Sequence, residues 1–351
     1  MEPIMKLTKD VQPVVTHSHS LITSRGLDIF LLSLVAILSG TVAFFGAQEI
    51  HPALYEDRAS AGWFESDTSR VFKNMTDPSS DHLRDKLHPL FSPIAYTVVQ
   101  FVKFAVTPES ISTVHLSCAL FAAVWGAFFF ILLRALTCRP LDALVFSSLA
   151  VTSASAIFWF TVPETYLLGS LSIISALLVA ALAEFQSIQP FWYITTGAAT
   201  LSITITNWMV GILAAFFHHP KRKSLMIMGA SLLSVIILWY AKQFVFRSSK
   251  IPFVTFSEQA YFLTPYAGGP FHVLRSFLIH TIVMPTIEVV NRYPSPHWPI
   301  MVTQSAVPGS GSIYGAIAVG VWTGLLGLGG WAFISLQQLR KFRTILGLAL
   351  L

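Results

Sequence analysis

A short polar segment, SDTSR at 66–70, places a carboxylate and a guanidinium where they would share one face of a helix. Asp67 and Arg70 stand three residues apart in a stretch without helix breakers, and side chains at this spacing are neighbours on a helix. A carboxylate beside a guanidinium suits general-base or metal chemistry next to an anionic ligand. Asp67 is therefore a candidate base or metal ligand, and Arg70 a candidate anion-binding residue.

A second group of ionisable residues, DHLRDKLHP at 81–89, comes immediately before an apolar stretch. Its side chains would lie at the membrane surface, where a lipid phosphate is found. Arginine offers a two-pronged set of donors and lysine a point charge, and both suit a phosphate or pyrophosphate. The predicted phosphate-binding residues are His82, Arg84, Lys86 and His88. Together with Asp81, the two histidines are also candidate metal ligands.

Two further polar sites occur at the predicted ends of apolar segments. Glu164 and Tyr166 lie in the turn VPETYLLG, and acids close to the membrane are candidates for a functional role. We predict that both residues bind substrate, while the alternative for Glu164 is to cap the helix beginning at Thr165. Asn207, in ITITNW, is predicted either to bind substrate or to satisfy backbone groups at a helix break.

The rest of the chain is dominated by apolar residues that must position these groups. It has 351 residues, of which 54% are hydrophobic and 11% are charged, and its mean hydropathy is +0.65. Runs of about 20 apolar residues are long enough to cross a bilayer as helices, and none alternates with the period of a barrel strand. The fold class is therefore predicted to be an all-α polytopic membrane protein with a single transmembrane domain, 1–351.

The hydropathy pattern predicts seven membrane segments joined by two large outer loops, 48–112 and 247–310. The predicted segments are 27–47, 113–137, 142–160, 166–184, 191–217, 223–246 and 311–336.

The positions of lysine and arginine predict the orientation of these segments, because such residues accumulate in cytoplasmic loops. Basic clusters occur at the N-terminus, at Arg134 and Arg139, at 218–223 and at 340–343. If all face the cytoplasm, 94–107 must be an interfacial helix, and 191–217 must be a broken hairpin that turns near Thr204–Asn207. The alternative for 191–217 is one tilted helix. The net charge of +5 is thus explained by orientation, with no nucleic acid as partner.

This arrangement resembles the GT-C superfamily of membrane glycosyltransferases over about residues 27–246. The similarity lies in FESDTSR after the first span, DHLRDKLHPLFSP before the surface helix, VPETYLLGSL at an outer turn and TITNW at the hairpin. The resemblance implies a GT-C-like helical bundle whose first outer loop carries interfacial helices and an acidic residue. Asp67 matches the position of the family's catalytic or metal-associated acid, with Glu65 as the alternative.

The resemblance further implies a function on the non-cytoplasmic face of the membrane. GT-C enzymes transfer a sugar from a polyprenyl-phosphate carrier to a glycan, lipid or protein acceptor, with or without a divalent cation (Mg²⁺ or Mn²⁺). The paired Asp-Glu signature of protein mannosyltransferases is absent at Asp67, and we expect no soluble C-terminal domain. We therefore expect a bacterial inner-membrane enzyme with its active site on the periplasmic or extracellular face, acting on a cell-envelope acceptor.

Two other functional classes share these features. A transporter or flippase for a lipid-linked or anionic solute would use a broken helix and surface cations as parts of its pathway. An O-antigen-type polymerase or ligase would also carry arginines and histidines in its outer loops. The concentration of charge on one face, with few ionisable residues inside the spans, favours an enzyme that works at that face.

Overall fold

The computed structural model describes residues 25–50, 55, 67–106, 108–252, 287–290 and 301–304, and seven helical positions between 320 and 331. Glu65 and most of the predicted span 311–336 lie outside the described residues. The α-helices are α1 (Arg25–Gln48), α2 (Thr68–Thr76), α3 (Phe91–Ala105), α4 (Ser110–Ala135), α5 (Pro140–Val151), α6 (Ala154–Thr161), α7 (Thr165–Ala183), α8 (Pro190–Ile203), α9 (Trp208–His218) and α10 (Lys221–Lys242). Strands β1 (Ile287–Val290) and β2 (Met301–Gln304) pair antiparallel, with Glu288 opposite Thr303.

Helices α1, α4, α7 and α10 are each long and apolar enough to cross a membrane. Helices α5 and α6 together form a fifth candidate span, although their axes are bent by 62°. The chain is therefore an integral membrane protein of the helical, multi-pass class, as its hydropathy predicted.

The bend between α5 and α6 divides the segment that the sequence predicted as one span, 142–160. Its cause is local, because Ser153 has an extended backbone and caps α6 by accepting a hydrogen bond from the N–H of Ala156 at 3.2 Å. Serine competes well for backbone groups at such positions. Hydropathy averages over a window and does not register a cap of this kind.

Helix contacts establish which helix ends lie together. Asp28 at the start of α1 forms an ion pair with Arg134 at the end of α4, with an Nε to Oδ1 distance of 2.9 Å, so these helices are antiparallel. The start of α4 packs on the start of α7, and Leu132 packs near the end of α7. One end of the bundle therefore carries Arg25, Arg134 and Arg139, and we call it the basic end. The opposite end, where α7 begins, is called the site end.

Helices α8 and α9 form a hairpin that starts and finishes at the basic end. A 3-10 turn, Ile205–Asn207, separates them. A Cβ atom added at Gly211 would lie 2.8 Å from the Cα of Gly197, so glycine is needed where the two helices cross. His218, at the end of α9, lies 3.4 Å from Glu184 at the end of α7. The turn of the hairpin thus reaches toward the site end and α9 returns.

Two short helices, α2 and α3, cover the site end of the bundle. Val71 and Met75 of α2 are buried in the same core cluster as Val99 of α3. The outer side of α3 is apolar but uncovered, since Phe101 and Phe104 are 65% and 94% exposed. A helix with one face on the protein and an exposed apolar face is what a position along the membrane surface requires.

Candidate functional site

A small cavity at the site end brings together Asp67, side chains of the segment 81–89 and side chains of α2, α3 and α7. Its volume is about 10 Å³, which is room for about one water molecule. Its lining residues are Asp67, Val71, Asn74, Arg84, Asp85, His88, Phe91, Ser92, Glu164 and Thr165. Four of the sequence-predicted site residues line this cavity: Asp67, Arg84, His88 and Glu164.

Asp67 precedes the first residue of α2, and its carboxylate is directed at arginines rather than at the helix N-terminus. Its side chain makes no capping hydrogen bond. Oδ2 instead contacts the guanidinium of Arg84 and lies 3.6 Å from Nη1 of Arg70. The carboxylate is 19% exposed and both arginine side chains are 41% exposed. The result is an acid held between two cations that can still reach solvent.

Arg84 lies in a 3-10 turn, Leu83–Lys86, whose geometry points the side chains of Arg84, Asp85 and Lys86 in different directions. Side chains of a 3-10 turn project about 120° apart, so consecutive residues face three directions. Arg84 faces Asp67 and Asp85 is buried, whereas Lys86 does not line the cavity. The sequence could not distinguish these two cations, because it did not fix the turn.

Glu164 connects the start of α7 to the start of α2. Its Oε2 accepts the N–H of Thr165 at 3.0 Å, which is the capping role considered from the sequence. Its Oε1 accepts the backbone N–H of Asp67 at 2.5 Å. Burial raises the pKa of this carboxyl, against the opposing effect of the two backbone donors. Glu164 therefore fixes the position of Asp67 and also lines the cavity.

His82 and His88, the two histidines of the segment 81–89, occupy different environments. His82 is fully buried, with Nε2 at 3.2 Å from the carbonyl of Pro78 and Nδ1 at 3.0 Å from the hydroxyl of Ser92. Both ring nitrogens are thus occupied, so neither is available to a phosphate or a metal. His88 lines the cavity, and its Nδ1 lies 2.7 Å from the carbonyl of Ile203. Burial lowers the pKa of both imidazoles.

The other predicted substrate-binding residues lie beside the cavity rather than in its wall. Asn207 donates from Nδ2 to the carbonyl of Gly169 at 3.1 Å, and so ties the hairpin turn to α7. Tyr166 is 56% exposed, with its ring centroid 4.3 Å from that of Trp159. This hydrogen bond joins two helical elements and does not satisfy a backbone group of the break itself, so both predicted roles of Asn207 stay predictions.

A buried ion pair that includes Asp85 of the cavity wall was not anticipated from the sequence. Asp85 and Lys242 are 2.8 Å apart, and their side chains are 2% and 3% exposed. Lys242 also donates to the carbonyl of Pro89 at 2.5 Å, and the Ser249 hydroxyl donates to Asp85. The end of α10 is thereby fixed to the segment that carries Arg84 and His88. An isolated lysine at the end of an apolar helix was the only available signal.

The predicted metal ligands do not form a metal site in the described part of the chain. No group of at least three His, Cys, Asp or Glu side chains within these residues has the spacing to hold an ion. Asp67 contacts Arg84, and the nitrogens of His82 are both engaged within the protein. Within the described residues these side chains are therefore engaged by the protein itself, and the divalent cation that the resemblance allowed stays a prediction.

The cavity thus combines three acids and a histidine at the end of a membrane-spanning bundle: Asp67 between two arginines, Glu164, and Asp85 paired with Lys242, with His88 beside them. The chain matches no family model, no curated protein and no solved structure.

Proposed function

We propose that this protein is a membrane glycosyltransferase that moves a sugar from a polyprenyl-phosphate carrier to a cell-envelope acceptor. One observation carries the proposal: the Asp67 carboxylate and the Arg84 guanidinium meet in a cavity at the site end of the bundle. A lipid-linked donor has its phosphate at the membrane surface and its chain in the bilayer. Arginine is well suited to bind that phosphate.

The charges support a leaving phosphate at this position. Arg84 and Arg70 are both partly exposed and share one carboxylate, so each retains N–H donors for an anion. Cations placed where negative charge develops lower the barrier to group transfer. Because the cavity holds only about one water molecule, substrate entry requires the cavity to widen, and the exposed guanidinium of Arg84 can direct its free N–H donors at the phosphate while it stays paired with Asp67. Asp67 then orients the acceptor hydroxyl.

The lysine and arginine residues at the basic end indicate how the protein is oriented in the membrane. Arg25, Arg134 and Arg139 lie at this end, as do Lys221 and Arg222 at the start of α10. Lysine and arginine accumulate on the cytoplasmic side of membrane proteins. We therefore assign the site end to the non-cytoplasmic face.

The test is transfer of radiolabelled sugar from a polyprenyl phosphate by the purified protein in proteoliposomes. Asp67→Asn and Arg84→Gln should each lower kcat/KM about 10- to 100-fold, as expected for hydrogen bonds to charged groups. Asp81→Asn removes an exposed carboxylate of the segment 81–89, which also contains Arg84, and should change kcat/KM by less than about twofold. Unchanged transfer in both Asp67→Asn and Arg84→Gln would refute the assignment.

A transporter or flippase is the second candidate, because the α8 and α9 hairpin brings a broken helix to the cavity. Broken helices of this kind form substrate sites in transporters. Movement of a lipid-linked sugar across the bilayer without a covalent product would support this class. Transfer of whole oligosaccharides would instead identify a polymerase or ligase.

A further inference from the structure

The break between α8 and α9 leaves backbone groups that require hydrogen-bond partners, and the segment 87–90 supplies both donors and an acceptor. The Leu90 N–H donates to the carbonyl of Ser202 at 2.8 Å, and the carbonyl of Leu87 accepts the Ile205 N–H at 3.1 Å. The imidazole of His88 lies between these two bonds and faces the carbonyl of Ile203 at 2.7 Å.

This contact fixes the proton on the ring. A carbonyl oxygen only accepts, so Nδ1 of His88 must carry the hydrogen that it donates to Ile203. The Thr204 hydroxyl lies 3.2 Å from the same nitrogen. In the neutral imidazole Nε2 is then unprotonated, and it has no hydrogen-bond partner among the described residues. A histidine oriented in this way by a second group is the arrangement that general bases use.

Asp67 is less suited to accept a proton. Its Oδ2 contacts Arg84 and is 3.6 Å from Arg70, so this oxygen is already engaged by cations within the protein. Glu164 has both oxygens occupied by backbone N–H groups. Asp85 is paired with Lys242. Among the titratable groups of the cavity wall, His88 therefore combines an unoccupied lone pair with a fixed orientation.

We propose that His88 is the catalytic base of the transfer reaction and that the broken hairpin serves to hold it. This inference rests on the glycosyltransferase proposed above. Nε2 of His88 removes the proton from the acceptor hydroxyl as its oxygen bonds to the anomeric carbon of the sugar. The bond from that carbon to the phosphate oxygen breaks, and the electron pair leaves on the phosphate beside Arg84 and Arg70. The proton on His88 afterwards passes to the phosphate or to solvent.

The surroundings of His88 predict the direction of the pH dependence. Burial is the main cause that lowers its pKa below the usual 6.5, and the positive charge of Arg84 acts in the same direction. The hydrogen bond to the Ile203 carbonyl is the main cause that opposes this shift, followed by Asp85 and Asp67, and Glu164 faces the same cavity. The pKa of His88 thus lies below its usual value. Activity should therefore be lost only as the pH falls through that lowered pKa.

The first test does not depend on activity. Nitrogen NMR of protein labelled at histidine, with signals assigned by His88→Asn and His82→Asn, reports which ring nitrogen is protonated. We expect His88 to be protonated at Nδ1 at neutral pH and to gain its second proton only below the usual pKa. His82 is an internal control with the opposite tautomer, since its Nε2 faces the carbonyl of Pro78. A His88 protonated at Nε2, or on both nitrogens at neutral pH, would overturn the proposal.

The second test measures transfer. His88→Asn retains an amide N–H near the position of Nδ1, whereas His88→Gln places a polar group near Nε2 without the bond to Ile203. Both lack the base, so kcat should fall about 100-fold or more while the donor KM changes less than about threefold. The loss of activity at acidic pH that is expected for the unmodified protein should be absent in His88→Asn.

The outcomes separate the two proposals. Transfer by His88→Asn within about threefold of the unmodified protein, with its acidic limb retained, refutes the role of His88 but leaves the glycosyltransferase intact. Absence of transfer by the unmodified protein refutes the glycosyltransferase, and with it the role of His88 in that reaction. The NMR measurement then still decides whether the cavity contains an oriented base.

Discussion

Replacing Lys242 by methionine should destabilise the protein strongly, because it leaves the carboxylate of Asp85 buried without its partner. The two charged groups are 2.8 Å apart and almost inaccessible to solvent. Methionine fills a similar volume, so the principal change is electrostatic. The Ser249 hydroxyl would remain as a donor to Asp85 but cannot neutralise it.

The expected magnitude follows from burial. Removing one partner of a buried ion pair costs about 3–5 kcal/mol. The unfolding entropy typical of globular proteins gives about 0.7 kcal/mol per degree for a chain of 351 residues. The melting temperature of Lys242→Met should therefore fall by about 4–7 °C.

The assay is thermal unfolding in detergent, followed by tryptophan fluorescence. Lys250→Met is the matched control, because Lys250 is exposed just beyond α10, and within the described residues its bound group is the carbonyl, which accepts the indole N–H of Trp239. Combining Lys242→Met with Asp85→Leu removes both charges and should recover most of the loss, since an apolar pair of similar size replaces a buried ion pair well. The reasoning is refuted if Lys242→Met melts within about 1 °C of the unmodified protein.

Two further predictions concern the hairpin and the cavity wall. Gly211→Ala should cost about 1–3 kcal/mol of stability, because the new Cβ would lie 2.8 Å from the Cα of Gly197. Gly229→Ala in α10 would meet no atom of the described residues within 4 Å and should gain about 1 kcal/mol; equal melting temperatures of the two variants would contradict this. Burial raises the pKa of Glu164 above its usual 4.5 in the folded protein, so its contribution to stability is complete below that value and is lost as the pH rises through the raised pKa. Melting temperatures measured across this range should decline less steeply for Glu164→Gln than for the unmodified protein, and parallel curves would refute the assignment.

Much of the transmembrane architecture could be predicted from the sequence because hydrophobic length is a local property. Helices α1, α4 and α7 lie within a few residues of the spans predicted at 27–47, 113–137 and 166–184. The stretch around Thr204–Asn207 is polar within an apolar run, which is why a break could be expected there. The bend at Ser153 was missed because a helix cap changes the backbone without changing hydropathy.

The candidate site was predicted less completely, because its geometry depends on contacts between distant parts of the chain. The spacing of Asp67 and Arg70 suggested a shared helix face, but Asp67 contacts Arg84, which lies in a separate turn. Composition could not separate Arg84 from Lys86, or His88 from His82. These distinctions required the direction of each side chain.

The sequence by itself determined that this protein is a helical membrane protein with a dense group of ionisable residues between its first spans. Both properties follow from local composition, since a bilayer selects long apolar helices and excludes charge. Only the tertiary structure decided which of those ionisable residues meet. His88 finds its partner at Ile203, 115 residues further along the chain, and Asp85 finds Lys242 at the end of α10. Such pairs form because folding buries polar groups that must then be satisfied by whatever the packing brings near.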